Sequence, residues 1–377
     1  MNILLSTCIR TNLSIVPNNN YYIVGKIAGQ SYYRVPEEGM LILKMTNHAA
    51  CTPQKICKDL GMESEEVLSF LNEMMDLGLI MELDGARQYD LQKYKSNTIV
   101  TKVVNFLFCR VTFIAVIGCL AGLLIFSHDF RHLVVRNNVL IFEQYPGINL
   151  FIVTIISVLL TSFHELGHYL AAKKYEVPVK FNLSTRLYIL VIEAKMNGIW
   201  SVSRESRYVP LLGGMYFDLI SGLLCAFIIE VGSSTILDDM FSTAIILIVT
   251  QFLFQFAIFF RTDLYFIVVN FLQIDGLQSR VKDVLRGRKT ERFAIAYTML
   301  AFIGTLTFMA YFIFIFFNSV HQEVQLFYYN LVQNDIILKL DSIMGLGVIG
   351  LTAGVTFLII LKRIMHYMRS TRGISKY

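Results

Sequence analysis

The chain is poor in charge. Only 16% of its 377 residues are Asp, Glu, Lys or Arg, where a soluble domain carries roughly 25%. The apolar excess lies in long blocks rather than at helical or strand period. This excludes an ordinary soluble globule and points to a membrane protein. Cysteine is also scarce. Cys8, Cys51, Cys57, Cys109, Cys119 and Cys225 form no CxxC pair and no disulfide-framework spacing, which excludes a stapled secreted scaffold and reads as reduced thiols, cytosolic or lipid-buried. Residues 2–22 mix polar and apolar side chains and lack the apolar core of a signal peptide, so export of this region is not expected. The net charge of +5 is small. The placement of the basic residues, below, accounts for it, and no nucleic-acid partner is expected.

Two regions follow from the pattern, 1–95 and 96–377. In the first, Tyr21–Val24 and Ser31–Val35 are β-prone runs joined across Gly25 to Gln30, which reads as a hairpin. Three short helices are expected over Glu37–Met45, Thr52–Leu60 and Ser64–Leu77, with Pro53 at a first helical position, Ser64 as a cap, and Gly61 and Gly78 as stops. Val67, Leu68, Leu71, Met74 and Met75 recur at the spacing of one apolar helix face. Leu79–Leu83 reads as a returning strand. Together these elements describe a small α+β, winged-helix-like module.

The second region is mainly α. Six apolar blocks, near 103–126, 148–172, 208–231, 241–260, 294–318 and 342–361, each meet the roughly 20-residue requirement for a transmembrane helix. A seventh, Leu264–Ile274, is too short to cross and reads as a membrane-dipping helix or a buried continuation. Basic residues cluster between the second and third blocks (Lys173 to Arg207), between the fourth and fifth (Arg280 to Arg292), and after the sixth. The positive-inside rule puts those segments, both termini and the N-terminal module in the cytosol of a multi-pass cell-membrane protein. Arg131 and Arg136 alone run against the pattern.

The second block ends in His164-Glu165-Leu166-Gly167-His168. Residues four apart share one helix face, so both imidazoles can bind one metal, with Glu165 beside its water. Zinc suits the set: it accepts imidazole nitrogen and acidifies bound water. Three ionisable residues inside a span are costly and usually mark function. Catalytic zinc commonly takes a third protein ligand, and three acids are candidates. Asp263, after the fourth block, arrives at the depth of the two histidines. Asp218 lies deeper, about ten residues or roughly 15 Å into the third block. Asp275 sits beside the basic loop, where solvation would explain it. The β-branched stretch Val177–Ile199 reads either as an edge to which a peptide could pair or as an ordered loop, and Trp200 as an interfacial anchor.

With HELGH closing a span, a basic loop, and the small-residue stretch Leu212-Gly213-Gly214-Met215-Tyr216-Phe217-Asp218 entering the next, the chain resembles the site-2 protease family of intramembrane zinc metalloproteases. More narrowly, it resembles the peptide zinc metalloproteases encoded beside ribosomally made, modified peptides. The family segment that carries the third ligand aligns with Asp263 to Leu277, without the family's glycine at Leu264 and its upstream Asn-Pro. The resemblance implies one zinc per chain on His164, His168 and Asp263, Glu165 as general base, and a metalloprotease domain over 96–377 with its core at 148–280. That register gives Asp275 no metal role, but Asp275-Gly276 resembles the family's Asp-Gly pair and stays a fallback ligand; Asp218 reads as a tuning or helix-bridging group. Residues 18–85 resemble a PqqD-like domain, which implies a leader-peptide partner besides the peptide substrate and the bilayer. Two rival readings share these residues. One is regulated proteolysis of a membrane-bound signalling protein; the other is a non-proteolytic peptide-sensing, immunity or transport component.

Overall fold

The computed structural model describes residues 3–18, 21–26, 31–88, 98–126, 144–186, 189–231, 235–273, 277–287 and 292–373. The chain is mainly helical and divides into two compact units. One holds Met1–Phe106 with Tyr169–Lys180 and Lys195–Pro210; the other holds Leu107–His168, Phe181–Ala194 and Leu211–Tyr377.

In the first unit the expected hairpin forms from β3 (Tyr21–Lys26) and β4 (Tyr32–Val35), with Tyr22 opposite Val35 and Gly25 opposite Tyr32. Two strands form that the sequence pattern did not announce: β2 (Leu13–Asn18), which joins the hairpin, and β1 (Ile9–Thr11), which belongs to a second sheet. β2 is the outer strand of a β2-β3-β4 sheet, a place where Pro17 is tolerated because no neighbour needs its missing N–H. The helices are α1 (Glu37–His48), α2 (Pro53–Leu60) and α3 (Ser64–Asp76). Thr52 caps α2, its hydroxyl accepting from the Lys55 N–H at 3.4 Å, and Gly61 ends it at φ +67°. Ser64 does not cap α3. It is the first helical residue, and Glu63 holds the cap position without a side-chain bond.

The returning strand β5 (Ile80–Leu83) pairs with β1 and with β6 (Ala86–Arg87). Ile9, Val24, Leu43, Ile56, Val67 and Leu71 are sealed in the core, each such side chain contributing about 1.5–3 kcal/mol by leaving water. A 3-10 turn, Asn197–Ser201, packs on the β2-β3-β4 sheet, and the Ser14 hydroxyl donates to the Ser201 carbonyl at 3.0 Å. Trp200, expected as an interfacial anchor, lies under the Arg207 guanidinium, 5.0 Å from its ring centre.

The remaining elements are α4 (Thr98–Leu107), α5 (Arg110–Phe126), α6 (Pro146–Lys174), β7 (Lys180–Arg186), β8 (Ile189–Lys195), α7 (Arg204–Val231), α8 (Thr235–Phe254), α9 (Asp263–Leu272), α10 (Leu277–Leu285), α11 (Arg292–Val332) and α12 (Ile336–Gly373). Among the described residues, five helices are long and apolar enough to cross a membrane, or six if the bent pair α4–α5 is one span. That is the pattern of a multi-pass membrane protein.

Two expected blocks have different bounds. The fourth does not run to 260: α8 stops at Phe254, a 3-10 turn covers Ile258–Phe260, and Arg261 adopts φ +54° before α9 starts at Asp263. The fifth continues as helix to Val332, because no proline or glycine interrupts Asn318–Val332. Its 41 residues make a rod of about 60 Å, twice the hydrocarbon thickness. Residues 177–199 carry β7 and β8, paired with each other. At its start, α6 is held by Asp341 of α12, whose two carboxylate oxygens accept from the Gly147 and Ile148 N–H groups at 2.8 Å each.

Candidate metal centre

α6 places His164 and His168 one turn apart, with their Nε2 atoms 3.3 Å from each other. The first residue of α9, Asp263, brings Oδ2 to 3.0 Å from His164 Nε2 and 3.1 Å from His168 Nε2. All three side chains are buried, and they form a group that could hold a metal ion. For a metal–ligand bond of 2.0–2.1 Å, two ligand atoms on a tetrahedron stand about 3.3 Å apart. The three observed edges are close to that value. With no cation, three electron-rich atoms would face one another away from water unless protons lay between them. One divalent ion satisfies all three.

The surroundings are built to leave room at this point. A side chain at Gly214 of α7 would collide with both Nε2 atoms, so only a glycine leaves the ring nitrogens uncovered. Gly167 serves the same end on α6, since a Cβ there would meet the Gly213 carbonyl and the Phe217 ring. This close approach of two glycine-bearing helices brings Asp218, one turn beyond Gly214, to the other side of His164. Its Oδ2 lies 2.8 Å from His164 Nδ1. A proton on Nδ1 donated to that carboxylate leaves the Nε2 lone pair free for a metal. Asp218 thus stands behind a ligand rather than among the three, and the Gln251 amide donates to its second oxygen at 3.0 Å.

Gln255, four residues after Gln251 and just past the end of α8, does the corresponding work for Asp263. Its side-chain oxygen accepts from the Asp263 N–H at 3.0 Å, while the Thr262 hydroxyl donates to the Gln255 carbonyl at 2.6 Å. These bonds hold the break after Phe254 and set the first residue of α9 against the histidines. Glu165, next to His164 in sequence, is buried and accepts from the Ala194 N–H of β8 at 2.7 Å through Oε2. Tyr265 is buried with its ring against Phe266 and Tyr297. Asp275 lies outside the described residues.

No protein-family model matches this chain, and neither does any curated protein or solved structure. Sequence reasoning passed over Gly214 as a steric requirement and missed Gln251 and Gln255 altogether. A signal for the glutamines was present: two amide side chains four apart in an apolar block need partners as much as charges do.

Proposed function

We propose that this protein is a membrane-embedded zinc peptidase that cleaves peptide bonds in a ribosomally made, membrane-associated precursor. The observation that carries the reading is the convergence of His164 Nε2, His168 Nε2 and Asp263 Oδ2 within 3.3 Å, with an acid, Glu165, beside them and a second, Asp218, bonded behind His164. Two imidazoles and one carboxylate are a donor set that suits zinc and leaves a position for water.

In this reading His164, His168 and Asp263 hold one zinc. When bound, it supplies a Lewis acid that polarises a carbonyl and acidifies water. The rest falls to the chain. Glu165, oriented by the Ala194 N–H, takes up a water proton on a carboxylate oxygen and passes it to the leaving amine. Asp218 keeps His164 in the tautomer that binds through Nε2. The N-terminal module, with its β2-β3-β4 sheet, is assigned to recognition of the peptide's leader. The basic segments support placing both termini in the cytosol.

The test has two parts. Purified protein is expected to hold near one zinc per chain. A peptide encoded by a neighbouring gene, incubated with wild type and with Glu165→Gln and read by mass spectrometry, is expected to be cut only by wild type. The substitution should slow cleavage by more than a thousandfold with zinc retained. Full activity in Glu165→Gln would remove its assigned role, and a chain without zinc would favour the non-proteolytic reading.

A further inference from the structure

A cavity of about 500 Å³ opens on His164 and Glu165, between α6, α8 and α11. Its wall is apolar: Leu160, Leu247, Phe254, Phe308, Phe312 and Phe316. The aromatic part is a ladder, because Phe308, Phe312 and Phe316 recur every four residues on one face of α11. Their ring centres are 5.9 and 4.7 Å apart in succession, and Phe254 closes edge-on against Phe308 at 5.2 Å. Polar residues also line it, yet three are already committed elsewhere. Thr250 donates to the Ile246 carbonyl, Gln251 to Asp218, and the Gln255 side chain accepts from Asp263. Glu165 and His164 are the only charged or chargeable side chains among the described lining residues.

We infer that this cavity is the specificity pocket of the proposed site, and that it takes two or three bulky apolar or aromatic side chains flanking the bond to be cut. The inference rests on the zinc peptidase reading and adds the substrate class. Size and chemistry both point there. A cavity of 500 Å³ falls within the 300–1,000 Å³ typical of ligand sites, which is more than one side chain needs. An acidic substrate residue placed in it would lose its hydration beside Glu165, which would repel it. Leu, Phe or Met would leave water for a matched wall. Because the pocket shares His164 and Glu165 with the metal centre, what fills it fixes which backbone carbonyl comes to the centre. A lipid acyl chain has the same apolar chemistry, so the experiment must separate the two.

Binding of capped hydroxamates to zinc-loaded Glu165→Gln protein in phospholipid nanodiscs, followed by calorimetry, does so. The probes are acetohydroxamate, a Leu-Phe dipeptide hydroxamate and a Ser-Asn one. Leu-Phe is expected to bind at least thirtyfold tighter than Ser-Asn. Leu247→Trp, which fills the cavity, and Phe312→Ser, which makes its wall polar, are each expected to cut that ratio below fivefold. Acetohydroxamate binding with equal affinity of the two dipeptides would overturn the pocket while sparing the metal site. An apolar preference seen in detergent but lost in nanodiscs would assign the cavity to lipid and overturn it as well. No acetohydroxamate binding at all would remove the metal reading, and the pocket with it.

Discussion

Asp218 Oδ2 and His164 Nδ1 lie 2.8 Å apart, on two helices that touch through glycine. An aspartate in this position keeps the imidazole basic and fixes its rotation, so that Nε2 points at a metal rather than swinging away. Asp218→Asn keeps the shape but removes the charge. Its zinc affinity is expected to fall ten- to a hundredfold, measured by competition with a chromophoric chelator. An unchanged affinity would make Asp218 a purely structural bridge.

Gly214→Ala tests the crowding above the ring nitrogens. The added methyl would occupy the space in front of His164 and His168 Nε2, and zinc content by mass spectrometry is expected to fall below a tenth of wild type. Gly222, further along the same helix, has nothing within 4 Å of where a Cβ would stand. Gly222→Ala should therefore keep full zinc content, which separates the steric effect from any general weakness of α7.

Gln255→Leu removes the acceptor of the Asp263 N–H. A buried donor left without a partner costs about 1–3 kcal/mol, and here the strain falls on the backbone that carries the third ligand. Zinc is expected to dissociate at least tenfold faster, measured by stopped-flow chelation. Gln255→Glu, which retains an acceptor oxygen, should recover most of the wild-type rate.

Asp341→Ala strips the start of α6 of the carboxylate that binds the Gly147 and Ile148 N–H groups. Loss of such a cap costs about 1–2 kcal/mol, so thermal unfolding should begin a few degrees lower. Asp341→Asn, still an acceptor, should lose roughly half as much. The last helix would then be shown to brace the helix that carries both histidines.

How much of this was legible differed by residue. His164 and His168 were readable because a four-residue interval is a local rule of helix geometry. Asp263 was reachable through depth and register, since an acid at that level had few alternatives. The break that delivers Asp263 was hidden. Phe254 to Phe260 is almost wholly apolar and has neither proline nor glycine; hydrogen bonds from Gln255 and Thr262, formed only in the folded chain, hold it open. β1 went unseen for a similar reason, because its partner is 74 positions away: Ile9 faces Leu83, and short mixed sequences do not declare distant partners. Gly214 was visible as a small residue, but the two nitrogens it exposes belong to a helix some fifty positions earlier.

The break before Asp263 has a consequence for the architecture of binding. His168 and Asp263 are separated by 94 intervening residues, and nothing covalent ties the two ends of that stretch together. An ion gripped by both would close it into a ring, as a cross-link does, and remove much of the freedom the stretch has when unfolded. Chelation would then do more than empty a pocket. It would cut the ring at its clasp, and the start of α9, where the Asp263 N–H rests on Gln255, is where the protein should first come undone.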